Sequence, residues 1–264
     1  MYFHNSRDVL IYFAVKYDGN PIKILTAMEL HEHEKVPPEE MKRVCDSLKC
    51  KAVTFVDYDY PKKLKEIFHP PLVLFYYGDI TLISDDQRKY GVVGARDYTE
   101  HGEFVTNKIV SEMAKGTVLV SGMARGIDTI AHTAQIRNGG RTIAVLGSGV
   151  DVCYPPENLE LYNYLKKKHL VISEYPCGSE PLGAHFPLRN RIIAALSDTL
   201  IVPQVRSLQS GTMITVDHMV YLGRPMYFAP NPFNEDSVNN KILIEGADMV
   251  ESGQQILEDM HWDK

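Results

Sequence analysis

Nowhere does this 264-residue chain hold an apolar run of the ~18 residues that a membrane-spanning helix needs. Its opening, MYFHNSRDVL, lacks the basic-then-apolar layout of a secretory signal, so a cytoplasmic protein is expected. Cysteine is scarce. The four thiols, Cys45, Cys50, Cys153 and Cys177, form no CxxC pair, which weakens zinc and redox-pair readings and favours buried free thiols. GxxxxGK[ST] is missing, and with it a Walker-type phosphate clamp; GxSxG and HExxH are missing too. No GxGxxG follows a strand, which counts against ordinary NAD binding. A cationic surplus is also lacking: 28 Lys and Arg face 34 Asp and Glu, a formal net charge of −6. That excludes a protein that coats nucleic acid with its whole surface. A local basic pocket remains possible, because screening confines charge effects to about 8–10 Å.

The length suits one large domain, or a medium one with a small companion. Residues 1–50 read as a small helical domain of three short helices. SRDVLIYFAVKY begins at a candidate Ser6 cap, GNPIKILTAMEL follows a Gly-Asn-Pro break, and PPEEMKRVCDSLK opens on prolines and acids. HEHEK, at 31–35, reads as a solvated polar loop rather than a metal site, since no further ligands sit at metal-site spacing. No metal or cofactor is expected.

From residue 51 the pattern changes. KAVTFVDYD, PPLVLFYYGD and RKYGVVGAR are short, β-rich apolar runs. Four more such runs, TVLVSG, RTIAVLGSG, HLVISE and DTLIVP, then alternate with helical stretches, and RPMYFAP closes the series. Continuous apolar strands alternating with helices predict an α/β fold: a Rossmann-like, mostly parallel sheet with helices on both faces, over residues 51–264. The tail adds a strand-like piece and a short helix.

Ligands of such sheets bind beyond the carboxyl ends of the strands. There the chain places Gly94 and Arg96 of GVVGARD, then Gly122, Arg125 and Gly126 of SGMARGID. GSGVD and Glu174 follow, and Ser210, Gly211 and Thr212 open the helix of QSGTMIT. Glycines at strand-to-helix turns allow close backbone approach, and helix N-termini attract anions. In HFPLRNRIIAALSD the helix reads as starting near Arg189 and Arg191, cations at its positive end, where an anionic ligand would be welcome. Two residues apart, they point in different directions, so one faces a ligand and the other serves structure. Asn190 reads as a helix cap, and Phe186 as either a core residue or a stacking platform. Asp151 and Glu174 at strand ends read as loop or helix caps rather than acid–base groups. Met213, Val216, Met219 and Val220 read as core rather than as a dimer face.

Taken in order, GVVGARDYTEHG, VLVSGMARGIDTIAH, GGRTIAVLGSGVDVCYPPEN, ISEYPCGSEP, HFPLRNRIIAALSD and SGTMIT resemble the DNA processing protein A family (DprA, also called Smf). The resemblance covers roughly residues 55–250, and the N-terminal helices are more weakly similar to the family's sterile-alpha-motif-like domain. It implies a cytoplasmic, non-enzymatic protein of natural transformation. Such a protein binds and protects incoming single-stranded DNA, helps load the RecA recombinase, and forms a homodimer. It also implies a DNA pocket built from Arg96, Gly122, Arg125, Phe186, the arginines of FPLRNR and the Ser210–Thr212 turn. Many members carry a C-terminal winged helix, and none is expected within these 264 residues. A lysine common in the family, three residues before the phenylalanine, is Gly183 here, and a Val-Glu-Ala step is replaced by the loop after Pro203. Both departures lower the expected affinity for DNA. Two other classes stay open: a nucleotide-processing hydrolase on a related sheet, and a nucleotide-sensing module. The first would need a PGGxGT-type phosphate loop with a downstream Glu, and QSGTMIT has no Glu nearby.

Overall fold

The computed structural model describes residues 2, 4–235 and 237–263. The strands are β1 (Lys51–Thr54), β2 (Val73–Gly78), β3 (Lys89–Val92), β4 (Val118–Ser121), β5 (Arg141–Leu146), β6 (Leu170–Ser173), β7 (Thr199–Val202), β8 (Met226–Phe228) and β9 (Asp248–Met249). Among the described residues they form one nine-stranded sheet in the order β1-β2-β6-β5-β4-β3-β7-β8-β9. Every pairing from β6 to β9 is parallel; β2 pairs antiparallel with both β1 and β6. The expected mostly parallel sheet is therefore present, with an antiparallel edge.

Helices α1 (Ser6–Lys16), α2 (Pro21–Glu29) and α3 (Pro38–Asp46) precede the sheet. Between strands lie α4 (Lys62–Lys65), α5 (Glu100–Met113), α6 (Ile127–Arg137), α7 (Leu159–Lys168), α8 (His185–Leu196) and α9 (Gly211–Tyr221). The tail holds α10 (Asn239–Ile244) and α11 (Gly253–Asp259) on either side of β9, one helix more than the sequence suggested.

Alternation along each strand explains why the apolar runs are continuous. Val118 and Val120 of β4 join the cluster under α8 and α9, while Leu119 between them joins the cluster under α5 and α6. Ile143 and Val145 of β5 likewise face one way, and Ala144 and Leu146 the other. Both faces are thus covered.

The N-terminal helices do not keep a core to themselves. Val9 to Ala14 of α1 are buried, and they share one cluster with Val73 and Phe75 of β2, Val171 of β6 and Leu165 of α7. The first helix is capped by Asn5, whose side chain accepts from the Arg7 amide, not by Ser6. HEHEK is no simple loop either: Glu32–Lys35 make a turn of 3₁₀ helix. Val216 and Met219 of α9 are buried as core, whereas Val220 is well exposed.

Topology sets the place for a ligand. From β3 the chain steps outward through β4, β5 and β6; after α8 it returns to lay β7 on the other side of β3. Loops leaving β3 and β7 therefore diverge, and a crevice opens between them, the usual binding position in an open α/β sheet.

Candidate nucleic-acid interface

A cleft of about 750 Å³ occupies that crevice, bounded by residues 93–97 after β3, Ala124 and Asp128, the first turns of α8, and residues 205–215. Its floor is Arg189. The residue is 5% exposed. Nη1 donates to the Gly122 carbonyl at 2.8 Å and also to the Val145 carbonyl, while Nε donates to Asn190 Oδ1 at 3.1 Å. The group lies against Gly122, where a Cβ would stand 2.6 Å from Nη2, so glycine is the residue that fits. Beneath it the buried Asp128 carboxylate accepts from the Gly122 and Ala124 amides at 3.1 and 3.3 Å. Burial pushes Asp128 up from the usual carboxylate range, and the Arg189 charge opposes that. Burial lowers Arg189 to about 10; Asp128 resists the shift, and the nearby Arg96 charge adds to it.

Arg96 itself is exposed at the rim, with no hydrogen-bond or ion-pair partner among the described residues. Phe186 is half-buried. Its centroid lies 5.9 Å from the Arg189 guanidinium and 5.4 Å from the Tyr154 ring, and Gly147 leaves room for its edge. On the far wall, Thr212 Oγ1 donates to the Gly94 carbonyl at 3.1 Å, and Asn190 Nδ2 donates to the Gly211 carbonyl at 3.0 Å. These bonds fix the N-terminus of α9 to the cleft. Its N-cap, Ser210, makes no side-chain cap bond, and its buried hydroxyl has no partner among the described residues. Gly94 and Gly126 are sterically required: a Cβ at Gly94 would strike Ile127 at 2.7 Å, and Gly126 has φ +77° with Ala95 O at 2.3 Å.

Five expectations need correction. The helix of FPLRNR starts at His185, so Arg189 and Arg191 are its fifth and seventh residues and lie beyond the first turn. Asn190 is accordingly no cap; it bridges α8 to α9. Arg191 does not reach the cleft. Two residues turn a helix by about 200°, and Arg191 Nη2 donates to both oxygens of buried Glu174, at 2.6 and 2.8 Å. Its Nε donates to His69 O and its Nη1 to Leu188 O. Glu174 is therefore an ion-pair partner, not a cap, whereas Asp151 does tie a loop, accepting from the Gly178 amide at 2.8 Å. Arg125 is not among the residues bounding the cleft either, and pairs at 2.6 Å with Glu157 on the surface. Two lining residues escaped the sequence reading. Arg206 donates to the Asp97 carbonyl, and its loop carried no motif; Tyr154 sits in the otherwise structural CYPPEN turn.

Residues 51–261 match the family model described as DNA recombination-mediator protein A. The chain belongs to that family. Among relatives of the DNA recombination-mediator protein A family, the DNA processing protein DprA of Streptococcus pneumoniae is 40% identical over 206 residues, covering 77% of this chain and 72% of the relative. That of Bacillus subtilis is 41% identical over 204 residues, covering 76% and 68%. A crystal structure of the pneumococcal protein superposes with a TM-score of 0.80 at 32% identity, over 98% of each chain. A structure concerned with the single-stranded-DNA binding mode of DNA processing protein A from Helicobacter pylori superposes with a TM-score of 0.73 at 29% identity, over 81% of this chain and 98% of that one. No described helix is long and apolar enough to cross a membrane.

Proposed function

We propose that this member of the DNA recombination-mediator family binds single-stranded DNA in the cleft between β3 and β7, without catalysing a reaction on it. The observation that carries the reading is the pairing of two like charges on one cavity. Arg96 stands unpartnered at the rim, and its field already disfavours the charge on Arg189 below. A phosphate between them relieves that repulsion. Phe186 and Tyr154 offer ring surface to a base, and stacking of this kind contributes roughly 1–3 kcal/mol per base. The Ser210 hydroxyl and the N-terminus of α9 supply further donors for an anion. Asp128 beneath the cleft holds the glycine turn in place, its Oδ2 accepting from the Gly122 and Ala124 amides. In this reading Gly94, Gly122 and Gly126 shape the hollow. Arg96, Phe186, Arg189 and Ser210–Thr212 meet the strand, and Arg206 takes a place that Arg125 and Arg191 do not.

The family relationship supports a cytoplasmic homodimer that shields incoming strands and passes them to the RecA recombinase. The decisive measurement is equilibrium binding to oligo-dT over a salt series. Two to four phosphate contacts give a log–log slope of about −1.4 to −2.8. Absence of binding at low salt, or preference for duplex, refutes the reading. The recombinase step is read separately, as the lag before RecA filaments grow on the bound strand, which the protein should shorten.

A further inference from the structure

Two of the four thiols meet, although they stand 127 positions apart in the chain: Cys50 Sγ and Cys177 Sγ are 3.1 Å from each other. Cys50 immediately precedes β1, and Cys177 lies in the loop that leads from β6 to α8. A disulfide bond is about 2.05 Å long, so closure needs an approach of about 1 Å. The loop is already held just after Cys177. Gly178 N donates to Asp151 Oδ1 at 2.8 Å, Gly149 N donates to Ser179 O at 2.9 Å, and Ser179 Oγ bonds the Asp18 carboxylate of the N-terminal region. The remaining thiols point elsewhere: Cys45 toward the Asp8 carbonyl at 3.8 Å and Cys153 toward the Pro155 carbonyl at 3.5 Å.

We propose that Cys50 and Cys177 are a reversible disulfide site, oxidised by a small disulfide of the glutathione class, that staples the start of β1 to the loop before α8. In the first step one cysteine thiolate attacks a sulfur of glutathione disulfide. A mixed disulfide forms and one glutathione thiolate leaves. The second cysteine thiolate then attacks the protein sulfur of the mixed disulfide and expels the other glutathione. Two thiol protons and two electrons pass from the protein to glutathione disulfide, which becomes two molecules of reduced glutathione, and one S–S bond is gained for the one lost. Burial raises both thiols above the ordinary cysteine value, and Asp151, the carboxylate facing the pair, adds to this. Tyr77 is the other titratable neighbour, and it acts on Cys177 in the opposite sense. The pair therefore rests as thiols at neutral pH, and exchange is slow there.

The site does not depend on the DNA-binding reading. Its test is equilibration of the folded, full chain with glutathione disulfide, quenching with N-ethylmaleimide, and peptide mass mapping. Expected is a product two hydrogens lighter, in which only Cys45 and Cys153 take the label and one cross-linked peptide joins residues 50 and 177. Cys177→Ser should leave a glutathione adduct on Cys50 with no bridge, and Cys153→Ser should bridge as the parent does. A second readout is the thermal midpoint, which should rise by several degrees on oxidation of the parent and stay unchanged in Cys177→Ser. Four labelled thiols after equilibration, or a bridge through Cys45 or Cys153, overturns the proposal.

Discussion

Arg96 and Arg189 share a cavity, yet they are different kinds of residue. Arg96 has no partner among the described residues, so its loss should register only when a strand is bound. Arg96→Ala is expected to weaken oligo-dT binding by about 1.5–3 kcal/mol, in the range of a hydrogen bond to a charged group, and to leave the thermal midpoint unchanged. Arg189 is built into the floor. Removing its side chain leaves the Gly122 and Val145 carbonyls without their donor and Asp128 without its counter-charge. Leaving buried polar groups unsatisfied costs about 1–3 kcal/mol each. Arg189→Ala should therefore show first in urea or thermal unfolding, and only an unfolding midpoint equal to the parent's would count against the bracing role. Motif reading could not separate these two arginines. It noted that Arg189 and Arg191 point apart, because helix geometry alone turns them, without saying which of the two faces the cleft. Glu174 as the partner of Arg191 was invisible, since that contact is made across the fold.

At the scale of elements, the cleft depends on how the start of α9 is tied to α8 and to the turn after β3. The two ties are Asn190 to the Gly211 carbonyl and Thr212 to the Gly94 carbonyl. Thr212→Val keeps the shape and removes one tie. It should cost about 1 kcal/mol of stability, measured by urea denaturation, and weaken DNA binding beyond that; Thr212→Ser should restore both. Most of the elements were legible because apolar strands and helical periods alternate without interruption from β3 to β8. The start of α8 was misplaced because Pro187 looks like a breaker. It is the third residue of the helix, where the backbone amide has no intrahelical partner to lose, so proline is tolerated and the helix begins before it. Asn239 shows the opposite failure. Its buried side chain donates to the carbonyls of Val202, Pro203 and Ala229, a clamp that orders the unusual loop after β7 and that no local pattern announces.

Across the whole molecule, the balance of charge is set locally rather than by the total. An acidic chain still concentrates guanidinium groups over one end of its sheet, which is why net charge was a poor guide to the cleft. Stability has its own buried titratable group. His132 is fully buried, its Nδ1 lies 2.7 Å from Thr142 Oγ1, and burial lowers it to about 3. The unfolded chain, near 6.5, takes up a proton first on acidification. The contribution of neutral His132 is thus complete above about pH 6.5 and is lost as pH falls toward the folded value. A single such group gives a slope of up to ~1.4 kcal/mol per pH unit. Between pH 6 and pH 4, His132→Gln should lose stability less steeply than the parent by about that amount, followed as urea midpoints across the range. An identical slope in the two proteins would remove His132 from the acid response.

The cluster that unites α1 with β2 has a practical meaning for anyone dividing this polypeptide. The family match starts at residue 51, a tempting scissor line. A fragment cut there would bare Val73 and Phe75, which α1 now shelters. Such a piece would be sticky along one flank, and the excised helices would be left with no lid over their own oily side.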